Sequence, residues 1–252
     1  MAYAKIIDID DPGYFRLKSI DQSQLKQFLK NPADWAYHRL NDDHKPTDAM
    51  KFGTAFHAYL LGTSDVVSLP EGESFRSKDN QKWRDEQLEA GNIIVSYNDM
   101  QLLKRMKEGI EQTSLMPEYP DYMEIIEQGT KEQCIEWKDR QTGLMLKAKP
   151  DLIPVGTDYL VDLKTAQKAD AESFAKEVIN YGYHIQTVFY RAAVAACKPD
   201  ASTVGPRLPA PCNSGCSRNP MPATGSLSAS AMTIRSRILP RPASVKRSWA
   251  SP

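Results

Sequence analysis

Two aspartates and a lysine near the middle of the chain have the types and spacing of a site that cleaves phosphodiester bonds. In the segment KPDLIPVGTDYLVDLKTAQ, Asp151 precedes a turn, and Asp162 and Lys164 interrupt the next apolar run. A two-residue hairpin loop at residues 156–157 would place Asp151 directly opposite Asp162. Because side chains alternate along a strand, Asp162 and Lys164 share one face and Leu163 points away. The segment therefore predicts two carboxylates and one ammonium in a single patch.

This patch predicts metal-dependent chemistry on phosphate. Two adjacent carboxylates repel each other unless a proton or a cation neutralises them, and hard oxygen ligands suit Mg²⁺ or Mn²⁺. Such a cation holds a scissile phosphate and lowers the pKa of a bound water, while Lys164 orients the nucleophile or stabilises charge on the phosphate. The alternative is an ordinary surface ion pair on an exposed hairpin, since short patterns often arise by chance.

Three further polar residues stand on predicted helices. Gln186 and Tyr190 are four residues apart in YHIQTVFYRAAVAAC, so they share a helix face that can reach over the sheet toward the acidic patch. On pattern alone, such a pair is more often a simple helix flank. His57 stands in the apolar pattern MKFGTAFHAYLLG, where a lone histidine is more often a hydrogen-bonded core residue than a ligand. The three residues together favour a functional site, whereas each one alone does not.

The elements that must position these residues begin with helices. The segment SIDQSQLKQFLKNPADWAYHRL predicts a helix capped by Ser19 or Asp21, followed by a second short helix. MKFGTAFHAYLLG predicts a mostly buried helix that ends at Gly62. Residues 71–92 predict a polar loop that leads into an exposed helix, and residues 98–112 predict an amphipathic helix.

Strands and two more helices follow. EQCIEWKD and LMLKAKPDLI predict a hairpin that turns at Gly143, and DYLVDLKTA predicts a third strand. ADAESFAKEVINYG and YHIQTVFYRAAVAAC predict the closing helices. On the last helix we expect these residues to face inward: Ile185, Phe189, Ala192 and Ala196. The order predicts an α/β or α+β fold in which helices cover a small central mixed sheet.

Composition favours an ordinary soluble globular protein. The 252 residues are 41% apolar and 25% charged, and the start of the chain lacks the apolar run of a secretory signal. We expect a cytoplasmic protein without a membrane partner, and reduced thiols at the four cysteines. Net charge is zero overall, but residues 1–198 hold 25 basic and 31 acidic residues. Any contact with nucleic acid must therefore use a local basic surface or a metal-neutralised site.

Beyond Lys198 the sequence changes in character. Residues 199–252 are rich in Pro, Ser, Ala and Arg and show no apolar periodicity. We expect them to form a disordered basic tail, since they bury too little apolar surface to offset the entropy of ordering. A shifted reading frame is the alternative hypothesis, because the chain changes where another strand is expected. On either view, residues 1–198 form the folded domain.

In chain order, the segments GTAFH, PD, VDLKT and Q-x-x-x-Y resemble the PD-(D/E)XK nuclease superfamily in its RecB-like branch. They look most like the RecE-type exodeoxyribonuclease VIII nuclease domain of phages and prophages. The resemblance covers about residues 14–197, since SIDQSQLKQFLKNPADWAYH is also similar to the opening helices of that group. It implies a restriction-endonuclease-like core of this superfamily. The family carries a further strand and helix where this chain has residues beyond 198.

The resemblance also implies roles for individual residues. Those with catalytic roles are Asp151, Asp162, Lys164, Gln186 and Tyr190. The implied metal ligands are the side chains of His57, Asp151 and Asp162 and the backbone carbonyl of Leu163. Glu136, on the preceding strand, is a weaker candidate. Four basic residues are candidates for DNA phosphate contacts, although such a run is more often a solvated face: Arg76, Lys78, Lys82 and Arg84.

By this resemblance the protein would be a Mg²⁺- or Mn²⁺-dependent 5′ to 3′ exonuclease on linear double-stranded DNA. It would work in recombination as a ring-shaped homo-oligomer with a single-strand annealing partner. Three alternatives stay open at this point. One is an endonuclease on the same fold, because the fold alone does not determine end preference. The others are a decayed nuclease that binds DNA or a partner protein, and an α/β domain of unrelated function.

Overall fold

The computed structural model describes residues 4–41, 46–117, 119–156, 159–168, 170–197 and 230–237. Nine helices form within these ranges: α1 (Asp11–Arg16), α2 (Gln22–Lys30), α3 (Pro32–Asn41), α4 (Asp48–Leu61), α5 (Lys78–Glu89), α6 (Tyr97–Ser114), α7 (Tyr122–Gln128), α8 (Ala171–Asn180) and α9 (Tyr183–Cys197). The same ranges contain nine strands: β1 (Ala4–Ile7), β2 (Val66–Ser68), β3 (Ile93–Val95), β4 (Thr130–Lys131), β5 (Cys134–Lys138), β6 (Met145–Ala148), β7 (Leu152–Ile153), β8 (Tyr159–Ala166) and β9 (Ser230–Arg237). This mixture confirms the predicted fold class.

The strands form three small sheets rather than the one that the sequence predicts. Strands β1, β5 and β6 form an antiparallel sheet in the order β1-β5-β6, and β2 pairs with β3 in parallel. The third sheet is antiparallel and has the order β4-β7-β8-β9. Strands β1 to β4 have two to four residues each, which is too short for an alternating pattern to stand out in the sequence.

The hairpin that carries the two aspartates has the predicted register. Leu152 of β7 pairs with Val161 of β8. Asp151 precedes Leu152 and Asp162 follows Val161, so the antiparallel pairing places Asp151 opposite Asp162. Gly156 has a φ of +68° in the connecting turn, a backbone conformation that favours glycine. The other residue of the predicted loop, Thr157, lies outside the described residues.

Strand β8 separates two hydrophobic cores. On one face, Val161 and Leu163 contact the α4 core, a cluster built from α4, α6, α7 and β7 that contains Phe56. On the other face, Leu160 contacts the α9 core, in which Phe189 packs with residues of β5 and β6. Because side chains alternate along a strand, Asp162 and Lys164 lie on the α9 face. The alternation thus directs the charged pair toward the last helix.

Turn and cap residues account for several element ends. Asp21 accepts a hydrogen bond from the Gln24 amide and caps α2, so of the two predicted candidates it is the one that the structure uses. The left-handed φ of +67° at Gly62 ends α4 as predicted. Gly143, with a φ of +72°, makes the turn between β5 and β6, which confirms the predicted hairpin.

The inward face of α9 differs from the predicted one. The structure buries a stripe that is rotated relative to the expected set: Gln186, Phe189, Ala193 and Val194. Of the residues expected inside, Ala192 is exposed and Ile185 is half-buried. The prediction was wrong because it followed the apolar residues alone, whereas the buried stripe contains a glutamine. That glutamine, Gln186, donates a hydrogen bond to the carboxyl group of Asp162 inside the protein.

Within the predicted tail, the structure describes residues 230–237 and no others. These eight residues form β9, which pairs antiparallel with β8 along its whole length. In this stretch each residue of β8 has a strand partner, which the sequence does not predict. Of the cysteines, Cys134 and Cys197 carry free thiols, and Cys212 and Cys216 lie outside the described residues. Among the described residues, every helix is too short or too polar to cross a lipid bilayer.

Candidate active site

Two buried carboxyl groups face each other between β7 and β8. Asp151 stands directly before β7 and Asp162 lies within β8, and each is 8% exposed. Oδ2 of Asp151 accepts a hydrogen bond from the backbone amide of Leu163 at 2.6 Å. The two carboxyl groups lie close enough for each to change the pKa of the other. The predicted carboxylate pair is therefore present, and the backbone of β8 holds one of its members.

Both oxygens of Asp162 have a protein partner. Gln186 on α9 donates a hydrogen bond from Nε2 to Oδ1 at 2.8 Å. The ammonium of Lys164 lies 2.6 Å from Oδ2. A charge-assisted contact this short is among the stronger polar interactions in proteins. Asp162 is thus positioned from two sides, by its own strand and by the last helix.

Burial changes the charge of these groups. It raises the pKa of Asp162 to about 7, and the neighbouring Asp151 carboxyl contributes the next largest effect. Burial likewise raises the pKa of Asp151. For Lys164, burial lowers the pKa, but the charges of Asp162 and Asp151 outweigh that effect, so its pKa is raised. At neutral pH the lysine is therefore a cation beside a carboxyl pair that tends to retain a proton.

His57 on α4 reaches the same place from the opposite face of β8. Its Nε2 lies 3.1 Å from the backbone carbonyl oxygen of Leu163, and its Nδ1 lies 3.6 Å from Oδ1 of Asp151. Because a carbonyl can only accept, Nε2 carries the ring proton. Burial lowers the pKa of His57, and the charge of Lys164 lowers it further. The neutral ring then presents the Nδ1 lone pair toward Asp151.

Tyr190 follows Gln186 by one helical turn and packs against the α9 core. Its phenol lies close enough to Gln186 for that side chain to lower the phenol's pKa. Burial raises the pKa of the Tyr190 phenol well above its usual range, and the charges of Asp162 and Asp151 raise it further. The structure therefore brings together the five predicted catalytic residues and the predicted metal ligands.

Sequence reasoning missed several residues that surround this site. The ring centroid of Tyr183 lies 5.1 Å from the Lys164 ammonium. Lys26 on α2 is close enough for the charge of Lys164 to lower its pKa, although burial contributes more. Glu132 raises the pKa of both Asp151 and His57 by its charge. The available sequence signal was the Tyr-Gly-Tyr run at residues 181–183, which leads into the helix that carries Gln186.

The four basic residues predicted to contact DNA lie on α5 and in the segment before it. Arg84 forms an ion pair with Asp85 at 2.7 Å, and its guanidinium lies 5.9 Å from the Phe75 ring centroid. Lys82 lies 3.7 Å from Glu86. Arg76 and Lys78 are exposed. Their role in DNA contact stays a prediction.

Glu136, the weaker candidate, lies in a different sheet from the aspartates. It stands on β5, where it accepts a hydrogen bond from the Ser19 hydroxyl and lies 3.2 Å from the Lys5 ammonium. These contacts tie the β1-β5-β6 sheet to the N-terminal segment. They account for Glu136 without any role in catalysis.

The donors around Asp162 fit the chemistry of a small divalent cation. The two carboxylates and the backbone carbonyl are hard oxygen donors of the kind that Mg²⁺ and Mn²⁺ prefer, and the neutral imidazole of His57 adds a borderline nitrogen donor. Burial and mutual repulsion raise the pKa of Asp162, so a cation would relieve an existing electrostatic cost. In the described part of the chain, no three His, Cys, Asp or Glu side chains already converge as ligands. The donors therefore fit a divalent cation by their type and their charge.

Comparison with known families gives one match. Residues 21–203 match the model of a family described as a PDDEXK-like domain of unknown function (DUF3799). A search of curated protein sequences gives no match. A PDDEXK-like domain indicates a nuclease-type function with DNA as the partner, and nucleases of this kind generally use divalent metal ions. With most of its length matched, the chain belongs to this PDDEXK-like family and, through it, to the PD-(D/E)XK superfamily.

Proposed function

We propose that this protein is a metal-dependent exodeoxyribonuclease that hydrolyses linear double-stranded DNA in the 5′ to 3′ direction. The observation that carries the proposal is the buried pair Asp151 and Asp162, with Lys164 at 2.6 Å from Asp162. Membership of the PDDEXK-like family supports the nuclease chemistry. The preference for duplex ends and the polarity follow from the resemblance to RecE-type nucleases of phages and prophages. These finer features are part of the proposal.

Four groups would hold the metal ion. They are the side chains of Asp151, Asp162 and His57 and the carbonyl of Leu163. The Asp162 oxygens keep lone pairs beside their contacts to Lys164 and Gln186, and the carbonyl keeps a second lone pair beside its contact with His57. When bound, Mg²⁺ or Mn²⁺ supplies Lewis-acid polarisation of the phosphate and a coordinated water of lowered pKa.

The protein's own residues supply orientation and charge. Lys164 remains protonated because Asp162 and Asp151 raise its pKa, so it acts as a fixed cation for developing negative charge on the phosphate oxygens. Gln186 holds Oδ1 of Asp162, and Tyr190 in turn contacts Gln186. Through these contacts α9 sets the direction of the Asp162 carboxylate. Such positioning maintains the geometry on which the reaction rate depends.

The decisive experiment is digestion of DNA by the full chain and by Lys164→Ala. Linear and closed circular duplexes are incubated in Mg²⁺ or in EDTA, and labels at the 5′ or 3′ end report polarity. We expect Mg²⁺-dependent loss of the linear duplex alone, with release of the 5′ label first. Lys164→Ala should lose at least about 100-fold in rate, as expected for a group that stabilises transition-state charge. Lys176→Ala, at an exposed site on α8, is the matched control.

Three results would overturn parts of this proposal. Cleavage by Lys164→Ala at the rate of the parent chain would remove Lys164 from the mechanism. Cleavage of closed circles would instead indicate an endonuclease. DNA binding without any metal-dependent product would indicate the non-catalytic module that the sequence left open.

The resemblance further suggests a homo-oligomer and a single-strand annealing partner. Light scattering of the purified chain tests the first, because a ring gives a mass that is a multiple of 28.3 kDa. Co-purification with a purified annealing protein tests the second. A monomer with full exonuclease activity would separate catalysis from assembly.

A further inference from the structure

A pair of aromatic rings lies beside the lysine of the candidate active site. Tyr181 and Tyr183 are stacked, with ring centroids 5.8 Å apart and planes 23° from parallel. The Tyr183 ring also contacts Lys164, whose ammonium lies 5.1 Å from the ring centroid. Tyr181 is 59% exposed. The pair therefore connects the catalytic centre to an open aromatic face.

The backbone holds this pair in place. Gly182 stands between the two tyrosines with a φ of +63°, and a Cβ there would lie 2.8 Å from Cδ of Lys26. Lys26 donates a hydrogen bond to the carbonyl of Tyr181 at 2.9 Å, and the Tyr181 amide donates to Glu177. Phe174 packs against Tyr183, with centroids 6.2 Å apart. The Tyr181 ring is thus exposed while its backbone is fixed on both sides.

The charges around the pair suit a nucleic-acid strand. The ammonium of Lys26 donates a hydrogen bond to the Tyr181 carbonyl, and the ammonium of Lys164 lies 5.1 Å from the centroid of the Tyr183 ring. Two positive charges therefore lie next to the tyrosines. Ammonium groups attract phosphates, and a tyrosine ring stacks on any nucleobase because every base has a π face. Apolar stacking and positive charge here occur within a few ångströms of the carboxylate pair.

We propose that the Tyr181–Tyr183 pair is a stacking platform for an unpaired nucleobase at the end of the DNA strand that the enzyme degrades. The proposal rests on the proposed nuclease function and specifies its substrate. A base inside a duplex stacks on a neighbour at each face and has no free face for Tyr181, whereas an unpaired base at the end has a free face and can turn away from the duplex. The platform binds that base while Lys164, in contact with the second ring, lies beside the backbone phosphate.

The test uses a duplex that ends in one unpaired 2-aminopurine, a fluorescent base whose emission falls on stacking, and the same duplex with that base paired. Binding is followed in EDTA and cleavage in Mg²⁺, with the full chain, Tyr181→Ala, Tyr181→Phe and Tyr37→Ala. Tyr37 lies on α3 and is 58% exposed, which makes it a matched control. Thermal unfolding of each variant verifies that it is folded.

We expect the parent chain to quench the unpaired base. Tyr181→Ala should abolish the quenching and raise the Kd or KM for the unpaired-end duplex by about 5- to 150-fold, the range expected for one stacked base. Tyr181→Phe should retain both properties because it keeps the ring, and Tyr37→Ala should behave like the parent chain. For the paired-end duplex, Tyr181→Ala should raise the Kd or KM less.

The outcomes distinguish this proposal from the proposed function. If Tyr181→Ala binds and cleaves both duplexes like the parent chain, the platform is wrong and the nuclease function stands. Cleavage by the parent chain without quenching of the unpaired base would also show that the platform is wrong while the nuclease function stands. If the folded parent chain neither binds nor cleaves either duplex, both proposals are wrong.

Discussion

Asp162 is the residue on which the candidate site depends most. Its carboxyl group contacts Lys164 and Gln186, and it faces the carboxyl group of Asp151 inside the protein. A buried carboxyl group depends on its specific partners, because they offset part of the cost of removing it from water. It becomes expensive when one is removed, because the remaining charge or lone pair has no water to replace the loss.

The first prediction at this scale concerns Gln186. Gln186→Ala removes the hydrogen bond to Oδ1 of Asp162 and should lower the free energy of unfolding by about 1–3 kcal/mol. Urea denaturation measures the change. Gln128→Ala on α7 removes a comparable amide that bonds to Glu124 on the surface, and it should cost much less. Equal effects of the two substitutions would contradict a special role for the buried contact.

The second prediction concerns pH. The raised pKa of Asp162, about 7, means that the folded protein binds a proton more tightly than the unfolded chain does. Its contribution to stability is present below the unfolded pKa of about 4 and is lost as the pH rises through about 7. In EDTA, the melting temperature should therefore fall between about pH 5 and pH 8 more than it does in an Asp162→Asn variant. A flat profile in the parent chain would contradict the shift.

Metal ions should reverse this trend. Because a ligand carboxyl must lose its proton to bind a cation, the rise in melting temperature caused by Mg²⁺ or Mn²⁺ should be larger at about pH 8 than at about pH 6. Thermal unfolding at several metal concentrations measures it. The same titration with Asp151→Asn provides the control, in which the metal effect should be small at both pH values.

Counting from the turn was sufficient to pair Asp151 with Asp162, because strand pairing has a fixed period of two residues. Lys164 and Gln186 followed from alternation and from helical spacing. Tyr183 was missed because its place depends on the left-handed turn at Gly182, a tertiary feature without periodicity. Lys26 was missed because it comes from α2, more than 130 residues earlier in the chain.

At the scale of elements, the long patterned segments were predictable and the short ones were not. Helix α4 and the β5–β6 hairpin have strong periodicity and glycine ends, and both form as expected. Helix α1 has six residues, and several strands have two or three, so long-range pairing rather than local pattern decides them. The face of α9 was misjudged because the prediction followed apolar residues alone, whereas the buried stripe includes Gln186.

One buried lysine links the N-terminal elements to the β1-β5-β6 sheet. Lys147 on β6 has no exposed surface and donates hydrogen bonds to the carbonyls of Tyr14 and Leu17 at 2.9 and 3.0 Å. Lys147→Met should lower the free energy of unfolding by about 2–4 kcal/mol, because the Leu17 carbonyl loses its donor and the Tyr14 carbonyl keeps only the Leu17 amide. Hydrogen exchange in residues 11–17 should also become faster.

The exposed Lys138 lies on the same hairpin and provides the control. Lys138→Met should leave the stability and the exchange of α1 near those of the parent chain. If hydrogen exchange in α1 were as slow in Lys147→Met as in the parent chain, the hydrogen bonds from Lys147 would not be what holds α1 in place.

For the whole molecule, the sheet that carries the site is completed by a strand from the far end of the sequence. Strand β9 pairs with all eight residues of β8, on the side opposite β7. A chain that ends at residue 229 should expose that edge of β8, since edge strands leave backbone groups unpaired. Hydrogen exchange of residues 159–166 should then be faster and the melting temperature lower.

A chain that ends at residue 237 keeps β9 and is the matched comparison. It should retain the protection of β8 and the stability of the full chain. Equal protection of β8 in the two shortened chains would contradict a structural role for β9.

The position of β9 also has a consequence for synthesis of the protein. Strand β8 ends at residue 166 and β9 begins at residue 230. At roughly 5–20 residues per second, a ribosome needs about 3–13 s to add the roughly 65 residues between them. During those seconds the strand with both Asp162 and Lys164 has emerged without its last neighbour. The nascent chain is then most exposed to aggregation, and slower translation at low temperature lengthens that interval.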